Sequence, residues 1–145
     1  MISFFAEDIA MPKMKRNELR KWIKAVAQKH GYKTGEISYI FCSDKRILEV
    51  NNEFLQHDYY TDIITFDYTE GKTISGDLFI SLDTVASNAE KFNTDPTSEF
   101  HRVVIHGILH LCGINDKGPG EREIMEQHEN EALALLAEMS AEEKK

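Results

Sequence analysis

The residues best suited to chemistry lie in one run, His106-Gly-Ile-Leu-His110-Leu-Cys-Gly113-Ile-Asn-Asp116. Two histidines four apart on a helix share one face about a turn apart, which brings two imidazoles to one metal ion. Gly113 favours a left-handed conformation that ends the helix and folds the chain back. Asp116, six residues after His110, then arrives as a third ligand through oxygen. Three protein ligands leave the fourth tetrahedral position to water, whose pKa falls to about 7. A bare HxxxH pair on an apolar helix also reads as two structural histidines; Gly113 and Asp116 at these offsets favour the metal. The spacing matches the long zinc-peptidase signature H-E-x-x-H-x-x-G-x-x-H, with Asp in place of the third His. Gly107 stands where a peptidase carries its general-base Glu, so peptide hydrolysis is the runner-up.

These residues need a scaffold. Residues 2–5 read as a short strand, and residues 13–30 as a helix from the spacing of Leu19, Trp22, Ile23 and Val26, ended by Gly31. Residues 37–42 form a strand, followed by a short helix over 44–55 with Asp44 as N-cap. Residues 61–68 read as a strand that turns at Gly71-Lys72 and returns over 76–81. A helix capped by Ser81 or Asp83 runs to Phe92, and Pro96 opens an apolar helix that Gly113 stops. Pro119 precedes a long acidic helix with Ile124, Leu133 and Leu136. Strands and helices mix without strict alternation. The expected fold is therefore α+β, a single domain over residues 1–139. It has a roughly four-stranded mixed sheet covered mostly on one face by helices, with the metal site at the end of a central helix. Residues 140–145 read as a frayed tail.

Composition sets the bounds. The chain has 145 residues, 41% hydrophobic and 29% charged, which excludes disordered, collagen-like and coiled-coil proteins. No apolar run is long enough for a membrane span. Glu7 and Asp8 follow a very short apolar start, unlike an export signal. Cys42 and Cys112 are then expected as free thiols in a reducing cytoplasm. Seventeen Lys and Arg against 25 Asp and Glu give a net charge of −8, which argues against a generic nucleic-acid coat protein. The basic residues are not evenly spread, however. Lys13, Lys15, Arg16, Arg20, Lys21 and Lys24 crowd the first helix region, a candidate positive face for RNA or an ordinary solvated helix face.

HGILHLCGIND resembles the H-G-x-L-H-L-x-G-x-D-H signature of the bacterial YbeY family of zinc-dependent endoribonucleases. Upstream, NNEFLQHDYYTDIITF over residues 51–66 resembles that family's N-x-x-[YF]-R-x-x-D-x-x-T-D-V-[LI]-[ST]-F block, and GDLFIS its G-D-[IL]-x-[IL]-S strand. The resemblance implies a cytoplasmic, metal-dependent hydrolase that cleaves single-stranded RNA. Its implied roles are 16S rRNA 3′-end maturation and ribosome quality control. Single-stranded RNA, rRNA and ribosomal subunits are its implied partners, with no membrane. The ligand positions carry over to His106, His110 and Asp116, holding one Zn²⁺. The resemblance also places Thr61 and Asp62 on the wall of the metal cleft, and His57 and Asp62 are the candidate catalytic side chains.

Two departures stand out. Asp116 replaces the family's third histidine, with Asn115 before it; a carboxylate ligand hardens the site and admits Mn²⁺ or another divalent ion. Leu55 replaces an arginine expected to hold phosphate, and His57 or Arg102 are the candidates to replace it. Two rivals remain: a metalloprotease-like hydrolase, and a ribosome-assembly factor whose metal is structural. Among the other groups, Asp77 reads either as a turn-proximal carboxylate or as a partner of a ligand histidine. His128 reads as part of a solvated face with Glu126, Glu129 and Glu131, and His30 as a cation at a helix C-terminus. His101 is not expected as a ligand. Cys42 and Cys112 read as small apolar packing groups.

Overall fold

A computed structural model describes residues 1–55, 62–116 and 118–143. Among these residues the order is β1 (Ile2–Ala6), α1 (Arg16–Lys29), β2 (Lys33–Cys42), α2 (Asp44–Leu55), β3 (Ile63–Asp67), β4 (Thr73–Ser81), α3 (Leu82–Lys91), α4 (Pro96–Leu111) and α5 (Glu121–Glu143). The sheet order is β1-β2-β4-β3, with β1, β2 and β4 parallel and β3 antiparallel to β4. The expected mixed α+β sheet is therefore present. The β3–β4 turn uses Gly71 at φ 57°, a conformation open to glycine at little cost. β2 starts at Lys33, earlier than its apolar run, because Lys33 and Thr34 pair with Thr73 and Ile74 ahead of a register shift. That irregularity breaks the alternation from which a strand is read.

Alternation assigns the sheet faces. Ile37, Tyr39, Phe41, Leu78 and Ile80 meet Trp22, Ile23 and Val26 of α1 and Val104, Ile105 and Ile108 of α4 in the main core. Fully buried side chains of this kind contribute roughly 1.5–3 kcal/mol each, so α4 is anchored by its apolar face. The indole of Trp22 donates to the Ala132 carbonyl at 2.8 Å, tying α1 to α5. The Tyr39 hydroxyl donates to the Val104 carbonyl at 2.8 Å, tying β2 to α4. A smaller cluster of Cys42, Ile47, Val50 and Ile64 lies on the reverse face, so α2 gives that face its own cover.

Local signals at helix ends are mostly obeyed. Asp95 caps α4 by accepting from the Ser98 N–H at 3.1 Å, with Pro96 in its first turn. Gly113 takes φ 90°, its N–H donates to the His110 carbonyl at 3.0 Å, and the Ile114 N–H donates to the Leu109 carbonyl at 3.1 Å. This pair of bonds closes the C-terminus of α4 and reverses the chain. At α2 the cap is Ser43 rather than Asp44: the Ser43 hydroxyl accepts from the Arg46 N–H at 3.2 Å. Asp44 instead accepts from the hydroxyls of Ser81, at 2.6 Å, and Thr84. α5 runs past the expected boundary at 139 to Glu143, with the Ser140 hydroxyl donating to Glu18. No helix among the described residues is long and apolar enough to cross a membrane.

Candidate active site

Helical spacing sends Glu99, Arg102, His106 and His110 to one side of α4, away from the buried Val104 and Ile108. The His106 ring has a carboxylate beside each nitrogen, and is hydrogen-bonded at one of them. Nδ1 lies 2.7 Å from Glu129 Oε2 on α5, and Nε2 lies 3.3 Å from Asp116 Oδ2 beyond the Gly113 turn. Glu129 is 8% exposed. Its second oxygen accepts from Arg102 Nη1 at 2.9 Å, while Arg102 Nη2 donates to Asn130 Oδ1 at 2.7 Å. An N–H at Nδ1 donating to a carboxylate leaves the lone pair at Nε2, the tautomer a ligand histidine needs.

This array lines a cavity of about 570 Å³ together with Asp62 and Glu99. Asp62 precedes β3, and its carbonyl accepts from the Ser81 N–H at 2.9 Å, fixing the chain at the edge of the cleft. Burial pushes the Asp62 carboxyl above its ordinary range, partly offset by the charge of His106 and by backbone N–H groups. Burial also raises Glu99; Arg102 opposes that effect, and Asp62 and Glu129 reinforce it. At His106, burial disfavours the imidazolium. The Glu129 hydrogen bond and the charges of Glu129, Asp116 and Asp62 outweigh it, so its pKa lies above the ordinary 6.5. The cleft thus gathers carboxylates and an imidazole with altered proton affinities, a hallmark of reactive sites.

The sequence-derived candidates separate clearly. His106, Asp116 and Asp62 share the cleft. His110 follows His106 by one turn on the same helix and is half-buried. Among the described residues, no three His, Cys, Asp or Glu side chains form a metal-holding group. His57, Asp58 and Thr61 lie outside the described residues, as does the side chain of Leu55. Arg102 does line the cleft, but its guanidinium is directed at Glu129 and Asn130, which corrects its reading as a phosphate-holding substitute.

Asp77 alternates with Gly76 and Leu78 of β4, which face α4, and so points to the reverse side of the sheet; it does not support a ligand histidine. His128 and His30 are not solvated singly. Their rings meet edge to face at 5.0 Å where α1 and α5 touch, and burial, reinforced by His128 and Lys29, lowers the pKa of His30. His101 packs against Trp22, away from the cleft. Cys42 and Cys112 are buried free thiols whose pKa values burial raises to about 12 and about 11.

Glu129 reads from the sequence as part of a solvated face because its neighbours form an acidic helix, but the structure buries it. Its spacing from Met125, Ala132 and Leu136, all buried, marks the inward face of α5 and was the available signal. Gly107 has a steric meaning. A Cβ there would lie 2.1 Å from Leu78 Cδ2 and 2.9 Å from Ile63 Cδ1, so any side chain at this position would point into the sheet and have to displace both. With glycine at this position the chain lacks a peptidase's general-base carboxylate there, which disfavours the peptidase alternative.

An α+β scaffold with a histidine–carboxylate cleft has the groups that acid–base or metal-assisted chemistry uses. A family profile described as Endoribonuclease YbeY matches residues 2–137. Proteins of that name are similar to this chain. The one from Parabacteroides distasonis is 71% identical over 137 residues, covering 94% of this chain and 96% of the relative. The one from Phocaeicola vulgatus is 68% identical, covering 94% and 99%. A relative from Porphyromonas gingivalis is 53% identical, covering 94% and 91%. The solution structure of TM1509 from Thermotoga maritima superposes with a TM-score of 0.65 at 26% identity, covering 94% of this chain and 89% of that one. The chain belongs to the YbeY endoribonuclease family.

Proposed function

We propose that this chain is a metal-dependent endoribonuclease that cleaves single-stranded RNA in the cytoplasm. Its work there is rRNA maturation on ribosomal subunits, including the 3′ end of 16S rRNA, and ribosome quality control. The observation that carries this reading is the His106 ring, gripped at Nδ1 by Glu129 and presenting Nε2 beside Asp116 at the wall of an acidic cleft. That donor set suits a divalent cation, since imidazole and carboxylate are both Zn²⁺ ligands and the carboxylate also accepts harder ions. His106, His110 and Asp116 would hold the ion. It would supply Lewis acidity at the phosphodiester and lower the pKa of a hydroxyl nucleophile.

The chain's own groups do the rest. Glu129 and Arg102 fix the ring angle of His106. Asp62, its carboxyl raised by burial, takes a proton at its carboxylate oxygen from the attacking hydroxyl. His57 stands with Asp62 as a catalytic candidate on sequence grounds. Removing the metal by chelation should abolish cleavage of single-stranded RNA, and Zn²⁺ or Mn²⁺ should restore it in proportion to bound metal. Full cleavage by metal-free protein would overturn the reading, and a bound but catalytically silent metal would leave a structural role.

A further inference from the structure

A second cavity, of about 470 Å³, opens on the opposite flank of α4. Leu19, Phe100 and Leu136 give it an apolar floor, His101 an aromatic wall, and Lys13 and Lys15 a basic rim. A hollow of about 630 Å³ adjoins it, sharing Pro12, Lys13 and Met14 and adding Arg16 and Arg20. Lys13, Lys15 and Arg16 are exposed, and Lys15 reaches its neighbour Glu18 at only 3.9 Å. Glu18, the carboxylate among the described lining residues, also accepts from the Ser140 hydroxyl. Arg20 is instead committed to the fold, donating to the Ile2 carbonyl at 2.9 Å and covering the Phe4 ring. In a chain of net charge −8, this segment is the conspicuous basic concentration.

We propose that these joined hollows are a second single-stranded RNA surface, continuous with the strand held in the cleft. One base sits against Phe100 and His101, and flanking phosphates lie on Lys13, Lys15 and Arg16. Exposed cations beside an aromatic-walled slot are the pattern of sequence-tolerant strand binding, with stacking for the base and charge for the backbone. The path is short. Pro96, Thr97 and Phe100 line this cavity while Thr94, Glu99 and Arg102 line the cleft, so only the first turns of α4 separate them. Ten residues of helix, Pro96 to His106, span about 15 Å. This assignment rests on the endoribonuclease reading and explains how one small acidic domain gains grip on a polyanion.

The test uses purified full-length chain and a fluorescent 2′-O-methyl RNA 12-mer, whose integrity after incubation is checked on a denaturing gel. In Lys13→Gln/Lys15→Gln/Arg16→Gln, affinity at 0.1 M salt should fall about tenfold or more, and the slope of log K against log salt should flatten by about 2. His101→Ala should lose about fivefold with its slope unchanged, the signature of a lost stack. Thermal melts establish that both variants fold. Unchanged affinity and slope in the triple variant would overturn the proposal and leave the surface to an acidic protein segment. Cleavage of unmodified RNA by wild-type chain is scored separately. A chain that binds as described yet cleaves nothing sinks the enzyme reading alone, and one that cleaves with unaltered binding sinks only the second surface.

Discussion

The two flanks of α4 use charge in opposite ways. On the cleft side a chain of charges is mutually committed around the buried Glu129: Arg102 to Glu129 and Asn130, Glu129 to His106, and His106 beside Asp116, with Arg122 and Glu126 exposed at the rim. On the α1 side Lys13, Lys15 and Arg16 stand in solvent over an apolar floor. Committed charges in low dielectric act through geometry, whereas exposed ones act as a sum that salt screens. A net charge of −8 therefore says little about nucleic-acid chemistry. The local arrangement decides it.

That contrast can be broken by substitution. The largest effect should come at the seam between α4 and the sheet. Gly107→Ala places a methyl against Leu78 and Ile63, an overpacking cost of about 1–3 kcal/mol, or roughly 2–12 °C in Tm for a chain of this length. Gly107→Glu adds a buried charge and should prevent folding, as circular dichroism would reveal. Next comes the cleft. Glu129→Gln should weaken metal affinity and RNA cleavage together by about 10–100-fold, because it removes the charge that orients His106. Competition with a chromophoric chelator measures the affinity, and raising salt should not reproduce the defect. If salt alone mimicked Glu129→Gln, the proposed difference between the flanks would collapse.

A smaller effect concerns pH. Burial first, then His128 and Lys29, lower the pKa of His30 below 6.5, while Glu131 opposes them. The folded chain therefore accepts that proton less readily than the unfolded one. This contribution is fully present above pH 6.5 and is lost as pH falls from there through the folded value. His30→Gln should flatten the decline of Tm below pH 6.5, read by melts across a pH series. An unaltered decline would show that this ring pair carries no proton linkage.

Much of the scaffold is legible locally. Helical periodicity marks α1 and α4, and Asp95-Pro96 and Gly113 mark the two ends of α4 because capping is a contact between near neighbours in sequence. The grouping of His106 with Asp116 follows from the same local geometry. Other features depend on packing between distant elements. The start of β2 is hidden by a register shift, and the two readings of Asp77 stay open until Leu78 is seen against Gly107. His30 and His128 look like separate surface groups because nothing in either segment announces the crossing of α1 and α5.

The sequence alone determined the HxxxH pair, the glycine that turns the chain and the carboxylate that follows, since each is fixed by the repeat of one helix and the conformation of one residue. Tertiary structure alone decided what holds that pair in place. Glu129 is 23 residues from His106 and looks like any acid in an acidic helix until α5 packs on α4 and aims it inward. It alone also showed that the basic segment leading into α1 borders an aromatic-walled hollow. Backbone periodicity is encoded by neighbours, but the pairing of charges depends on how helices cross, and that is set by the buried apolar surface of the whole core.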